Sequence, residues 1–448
     1  MMNIGNRSNT WRDYQRALKK EARRKILLRK MPGLILWAVA HFLGLAAVIG
    51  YATGSWIFSD LDWGSPPESP EDNRVEQPDQ DRLIRADLPG LLSELKPRLY
   101  PIAETYALEN QAVGLNVRTS VDASLQQYIM QLLKRSRTHQ AAVVALRPDN
   151  GQILAMAHYE NPGDVGQDGL CLRADFPAAS LFKIVAAAAV IEARGLDPDA
   201  VFYFRGKRHT LYQSQLKQEK GRWAVKTTLK KAFSGSINPV FGKIGIYHLG
   251  KSVMDQYADR FLFNHPIPFD LPLGMSRIEV PKDRFGLAEI ASGFNKRTLI
   301  SPLHAALITA AIANKGVMME PWIVKTVEDE TGKVLYRARP SELATPIKAS
   351  SAEILKVLMR DTVVAGTCRS AFRPLRQKKA FKDISFGAKT GTINDAQDQY
   401  KYDWLTAYAL PAKGGGGISL VVLAVHGEKL GIRAKEMATR ILRHYLDS

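Results

Sequence analysis

Apolar residues recur along this chain in three rhythms, each with its own structural meaning. Between Leu34 and Ile57 they are almost continuous: LILWAVAHFLGLAAVIGYATGSWI holds no Asp, Glu, Lys or Arg over 24 residues, enough to cross a bilayer core of roughly 30 Å as one helix. From Leu125 they fall at i, i+3, i+4, i+7 and i+8 (Leu125, Tyr128, Ile129, Leu132, Leu133), which predicts an amphipathic helix. The stretch AAVVALRPDNGQILAMAHY then gives two apolar runs joined by Pro148-Asp149-Asn150-Gly151. Asn and Gly accept the positive φ of a tight turn, so this predicts a hairpin. Residues 384–388 look like a further strand, and 404–410 with 418–426 form a second strand pair across the glycines 414–417. Met437, Ile441, Leu442 and Tyr445 share one face of a closing helix. Strands near both ends with helices between predict a mixed α/β (α+β) domain: an antiparallel sheet, helix-covered, with a large helical insertion.

Composition changes between the apolar span and this domain. GSPPESPEDNRVEQPDQD is rich in Pro, Asp and Glu, which predicts an extended tether. Apolar positions return at helical spacing between Leu88 and Leu108, predicting a short helical stem. The expected organisation is a basic tail over 1–33, a transmembrane helix over 34–57, tether and stem over 58–113, and a catalytic domain over 114–448. No 20–50-residue period recurs, which argues against a repeat architecture.

Charge sharpens the reading. The 448 residues carry a formal net charge of +18, yet the excess is concentrated. Arg7, Arg12, Arg16, Lys19, Lys20, Arg23, Arg24, Lys25, Arg29 and Lys30 precede the span, and Asp60, Asp62, Glu68, Glu71 and Asp72 follow it. Positive flanks stay in the cytoplasm, so the chain after Ser59 is expected outside. The apolar run exceeds the roughly 7–15 residues of a cleaved signal core, which favours an uncleaved anchor. No zinc-finger spacing or RNA-binding aromatic signature accompanies the charge, so no nucleic-acid partner is expected. Cys171 and Cys368 alone exclude a disulfide scaffold and the common structural zinc sites. The two could pair in an oxidising compartment, but two buried, unpaired thiols are the expectation, with no metal and no cofactor.

Three short elements carry candidate chemistry: Ser180-Leu-Phe-Lys183, Ser236-Ile-Asn238 and Lys389-Thr390-Gly391-Thr392. Ser180 opens the alanine-rich apolar run IVAAAAVIEARG, so Lys183 lies one helical turn from its hydroxyl. Apolar surroundings lower a lysine pKa toward the neutral base that can take a proton. The other Ser-x-x-Lys pairs, Ser93 with Lys96 and Ser214 with Lys217, lie in polar or proline-interrupted contexts. Ser236 and Asn238 sit in a loop before Pro239, able to point a hydroxyl and a carboxamide into one cleft. Gly391 removes a side chain where a substrate backbone would lie against a strand edge, and Lys389 with the two threonines offers donors to a carboxylate.

In this order the three elements resemble the set found in penicillin-binding proteins and class A β-lactamases, with Asn in place of Asp in the middle one. The chain resembles the transpeptidase domain of bacterial penicillin-binding proteins from about Gly114 to its end, with VDASLQ, VVALRPDNGQILAMA, GLAEIASGF, ISPLHAALITAAIANKG and VVAGTCRSAF also similar. It departs at Ala178-Ala179, where that family often has Pro-Gly, and at Leu405 and Ala407, where an aromatic and a glycine are more usual. The resemblance implies a five-stranded antiparallel sheet and a peptidoglycan D,D-transpeptidase at the bacterial plasma membrane, catalytic domain outside, inhibited by β-lactams. D,D-carboxypeptidase action and a β-lactam-sensing role are the alternatives. It further implies Ser180 as the acylated nucleophile, Lys183 as base, Ser236 as proton shuttle and Asn238 as amide-binding group. Lys389, Thr390 and Thr392 would hold the carboxylate of a D-Ala-D-Ala stem peptide beside Gly391. The N–H groups of Ser180 and Thr392 would form the oxyanion hole, and a separate glycosyltransferase would supply the glycan.

Overall fold

The computed structural model describes residues 83–93, 100–110, 113–161, 169–218, 222–412 and 416–448. The apolar run 34–57 and the tether before residue 83 lie outside them. Among the described residues, no helix is long and apolar enough to cross a membrane.

The chain enters through β1 (Thr105–Asn110) and β2 (Val113–Thr119), then α1 (Ala123–Lys134), capped by the Asp122 carboxylate on the Leu125 N–H at 2.9 Å. Next come β3 (Gln140–Leu146) and β4 (Ile153–Glu160), the expected hairpin. The helical insertion holds α2 (Lys183–Arg194), α3 (Leu229–Ser234), α4 (Asn238–Ile244), α5 (Gly250–Arg260), α6 (Arg284–Ser292) and α7 (Pro302–Ala313). Then follow β5 (Val324–Asp329), β6 (Val334–Arg337), α8 (Ala349–Val364) and α9 (Arg369–Gln377). The chain closes with β7 (Ile384–Asn394), β8 (Lys401–Pro411), β9 (Ile418–His426) and α10 (Ala434–Asp447).

The central sheet has five strands in the order β7-β8-β9-β3-β4, every neighbouring pair antiparallel. All nine residues of β9 are buried because helices cover both faces. On one face lies α7, buried along its whole length and accordingly apolar all round. On the other lie α1 and α10, whose Leu125, Ile129, Met437 and Ile441 complete a second core cluster. Strand β7 is an edge, so its outer side is open to the helical insertion and to ligands.

The stem differs from expectation. Among the described residues of this stretch, helix is found only over Leu88–Ser93, while Thr105–Asn110 is a strand in a four-stranded antiparallel sheet ordered β1-β2-β5-β6. Pairing of Leu108 with Leu115, and burial of both in the core, overrides the local helical spacing. Arg85 anchors the same segment, pairing with Asp270 at 3.2 Å and Glu320 at 3.0 Å. Cys171 and Cys368 are free and buried, in separate core clusters.

Candidate active site

Ser180 lies in a single 3-10 turn, Ala179–Phe182, that runs directly into α2 at Lys183. The turn starts from a left-handed residue, Ala179 at φ 49°, which is where a glycine would sit without strain. That gives the Ala178-Ala179 departure a physical consequence: a left-handed position carries a Cβ. Gly293, the left-handed cap of α6, sits against this turn, and a Cβ there would stand 1.9 Å from the Ala179 carbonyl oxygen. Gly391 on β7 approaches from the sheet. Its would-be Cβ meets Ala179 Cβ at 3.3 Å and Ser180 N at 3.4 Å. The space spared at Gly391 thus lies against the protein's own turn.

Lys183 is fully buried. Its Nζ lies 2.8 Å from Ser180 Oγ, 2.7 Å from Asn238 Oδ1 and 2.5 Å from the Ser292 carbonyl. A neutral amine has two N–H donors and one lone pair. Asn238 and Ser292 offer acceptors only in this geometry, so they take both donors and leave the lone pair for the Ser180 O–H. Burial, and then the neighbouring Lys389, hold the Lys183 pKa well below its ordinary value. The Phe241 ring, 5.5 Å from Nζ, is part of the apolar wall that causes this.

Lys389 is buried as well, and burial pushes its pKa down to about 7. Its Nζ donates to Ser236 Oγ at 3.0 Å and to the Thr390 carbonyl at 2.8 Å. Ser236, at φ 51°, adopts a backbone conformation rare for a non-glycine residue, which turns its hydroxyl toward Lys389. Asn238 opens α4 with Pro239 behind it. Its Nδ2 donates to the His209 carbonyl at 3.0 Å while Oδ1 accepts from Lys183.

Ser180, Lys183, Ser236, Asn238 and Lys389 therefore meet at one place, although 153 residues separate the last two elements. The threonines stand on the other face of β7 from Lys389, as strand alternation requires. Thr390 Oγ1 lies 2.8 Å from Thr367 Oγ1, and Thr392 Oγ1 donates to Asp403 Oδ1 at 3.4 Å. Ser93 and Ser214 are remote in role: Ser93 Oγ bonds the Gly90 carbonyl 2.6 Å away, and Ser214 and Lys217 are both exposed. Sequence reasoning missed His209, whose Nδ1 lies 3.2 Å from the Ser236 carbonyl, and the Ser292 carbonyl beside Lys183. The left-handed glycine after Ser292 is a helix-end signal that marks the second. No pattern marks His209.

Comparison with known proteins identifies the domain that carries this geometry. The model of the penicillin binding protein transpeptidase domain matches residues 141–443. The chain belongs to the penicillin-binding protein transpeptidase family. Among its relatives in that family, the peptidoglycan D,D-transpeptidase PbpA of Mycolicibacterium smegmatis is 24% identical over 366 residues, covering 74% of this chain and 71% of that protein. Penicillin-binding protein PbpB of Mycobacterium tuberculosis is 25% identical over 279 residues, covering 57% of this chain and 39% of that one. The crystal structure of PBPA from M. tuberculosis superposes with a TM-score of 0.61 at 22% identity, covering 75% of this chain and 83% of that one. An imipenem acyl-enzyme complex of penicillin-binding protein A from M. tuberculosis gives a TM-score of 0.61 at 22% identity, covering 74% and 80%. These likenesses show a penicillin-binding protein transpeptidase fold, consistent with the mixed α/β architecture expected from the sequence.

Proposed function

We propose that this chain is a peptidoglycan D,D-transpeptidase that cross-links stem peptides ending in D-Ala-D-Ala through an acyl-enzyme on Ser180, and that β-lactams acylate the same hydroxyl. The observation that carries the reading is the buried Lys183 amine, 2.8 Å from Ser180 Oγ with its other neighbours both acceptors. Ser180 Oγ attacks the penultimate D-Ala carbonyl while its proton passes to Lys183 Nζ. The N–H groups of Ser180 and Thr392 hold the oxyanion. The C–N bond breaks as Ser236 gives its proton to the departing D-Ala nitrogen and is resupplied with the proton held at Lys183. An amine of a second stem peptide then attacks the ester, returns a proton to Ser180 Oγ and leaves as the cross-linked amide.

Protonated Lys389, with Thr390 and Thr392, holds the terminal carboxylate. For the threonines this requires the carboxylate to lie at the open edge of β7, between the face that carries Lys389 and the face that carries the two hydroxyls, with each hydroxyl turned away from Thr367 and Asp403. Asn238 retains one Nδ2 hydrogen beyond its bond to His209, which is what it has to offer a substrate amide. A single-pass plasma-membrane anchor over 34–57, with the N-terminus cytoplasmic, completes the reading, and a separate glycosyltransferase supplies the strands. What supports the orientation is the basic head before an uncharged span.

The test is incubation of the full-length chain with pentapeptide-bearing glycan, with products identified by mass spectrometry. Cross-linked dimers are expected. Trimmed tetrapeptides alone would instead indicate a D,D-carboxypeptidase, and an unchanged substrate with a stable penicillin adduct a β-lactam sensor. The intact mass of Ser180→Ala after penicillin treatment should show no adduct; an adduct retained on Ser93 or Ser214 would overturn the assignment.

A further inference from the structure

At the start of β7, the structure holds a cleft of about 460 Å³ between the strand and the last turns of α8 and α9. Its apolar side is formed by Val364, Phe381 and Ile384. Its polar rim carries Arg360, Arg376 and Lys382 against one carboxylate, Asp383, a surplus of two positive charges (three less one). Among the described residues no hydrogen bond or ion pair engages the side chains of these three cations. Arg376 is the telling one. Its Nε is buried and has no hydrogen-bond partner, and a buried donor left unmet is costly enough that structures rarely tolerate it.

We propose that this cleft binds a soluble phosphate monoester with a small apolar substituent. A guanidinium presents its donors in a planar fork that matches a phosphate or carboxylate, and Arg376 has that fork unused. Two surplus charges match a monoester, which carries close to two negative charges at neutral pH, better than a carboxylate or a lipid phosphodiester with one. Val364, 41% exposed, and Ile384 offer the substituent a wall. Ser385 lines the same cleft, four residues before Lys389 on the same strand. The assignment does not depend on the chemistry at Ser180.

Isothermal titration of the full-length chain in neutral detergent, at neutral pH, tests it with phenyl phosphate as probe. One saturable site is expected, with inorganic phosphate binding several-fold more weakly because it lacks the ring. Arg376→Gln and Lys382→Gln should each weaken phenyl phosphate by about tenfold or more, with melting temperatures showing that both remain folded. Lys325→Gln, an exposed charge on β5, should leave binding unchanged. Absence of binding to the wild-type chain overturns the proposal, as does equal affinity in wild type and Arg376→Gln. Binding to phosphatidylglycerol vesicles without binding to phenyl phosphate would also overturn it, by pointing to a lipid surface instead.

Discussion

The Cα of Gly293 faces the Ala179 carbonyl so closely that an added Cβ would stand 1.9 Å from its oxygen. Gly293 is also left-handed, at φ 63°. Gly293→Ala therefore meets two penalties: a conformation costing an L-residue about 1 kcal/mol or more, and a backbone clash with the turn that presents Ser180. Because the preceding Ser292 carbonyl bonds Lys183, relief of the clash moves nucleophile and base apart. Melting should show clear destabilisation, and stopped-flow acylation by penicillin should slow at least about tenfold. A variant that melts lower yet acylates at the wild-type rate would show that this contact serves stability alone.

Gly391 tests the same turn from the sheet side. Its would-be Cβ touches Ala179 Cβ at 3.3 Å, so Gly391→Ala should slow acylation moderately. Ala179→Gly removes the opposing methyl and relaxes the left-handed residue at φ 49°. Alone it should leave acylation near wild type, and in the double variant it should restore much of what Gly391→Ala loses. Strictly additive effects would place the damage elsewhere.

The two buried lysines should separate on a pH profile. Acylation needs Lys183 neutral, so the second-order rate constant rises with pH as that amine loses its proton. Carboxylate binding needs Lys389 protonated, and with its pKa pushed down to about 7 the rate falls again above neutrality. A bell is expected. Lys389→Arg keeps its charge at all accessible pH and should lose the alkaline limb while retaining activity. Lys183→Arg should nearly abolish acylation. A profile for Lys389→Arg that still bends down near pH 7 would assign that limb to another group.

The sequence carried the site further than it carried the surroundings. Ser180 and Lys183 were legible because helix geometry fixes what lies three residues apart. The hairpin β3–β4 and the strands β8 and β9 were legible from period and turn residues. Their assembly with Ser236 and Lys389 was available through family resemblance, since contact across 153 residues leaves no local trace. The helical spacing read over Leu88–Leu108 fails at Thr105, because the chain there turns back at once into β2 and pairs Leu108 with Leu115, and helical periodicity alone carries no sign of that turn. The tight packing around Ala179 was invisible for a similar reason. Gly293 and Gly391 approach it from a helix end and a strand, and only the fold brings those together.

Cys171 and Cys368 should be inert. Both are buried, and burial pushes both thiols up to about 12, so almost no thiolate exists at neutral pH. Titration of the native chain with an aromatic disulfide reagent should give no reaction on the minute scale and two equivalents after denaturation. Loss of a free thiol under oxidising conditions without unfolding would contradict this placement.

Asp403 makes acid stability predictable in sign and range. It is buried on β8, where burial alone would raise its pKa. It nevertheless accepts from Arg433 Nε at 2.6 Å, Arg433 Nη2 at 3.0 Å and the Ala434 N–H at 3.1 Å. His426 Nε2 stands 3.6 Å away, beyond hydrogen-bond reach, so the guanidinium carries the effect. The net result is a pKa of about 2. A folded pKa below the unfolded one, near 3.9, means the ion pair stabilises fully above about pH 4 and loses that contribution as pH falls through about 2. The shift corresponds to about 2 kcal/mol at neutral pH. Asp403→Asn should melt lower at pH 7 and converge on wild type as the pH approaches 2. A constant gap between the two curves across that range would mean that the carboxylate's charge, and hence its pairing with Arg433, is not what holds α10 against β8.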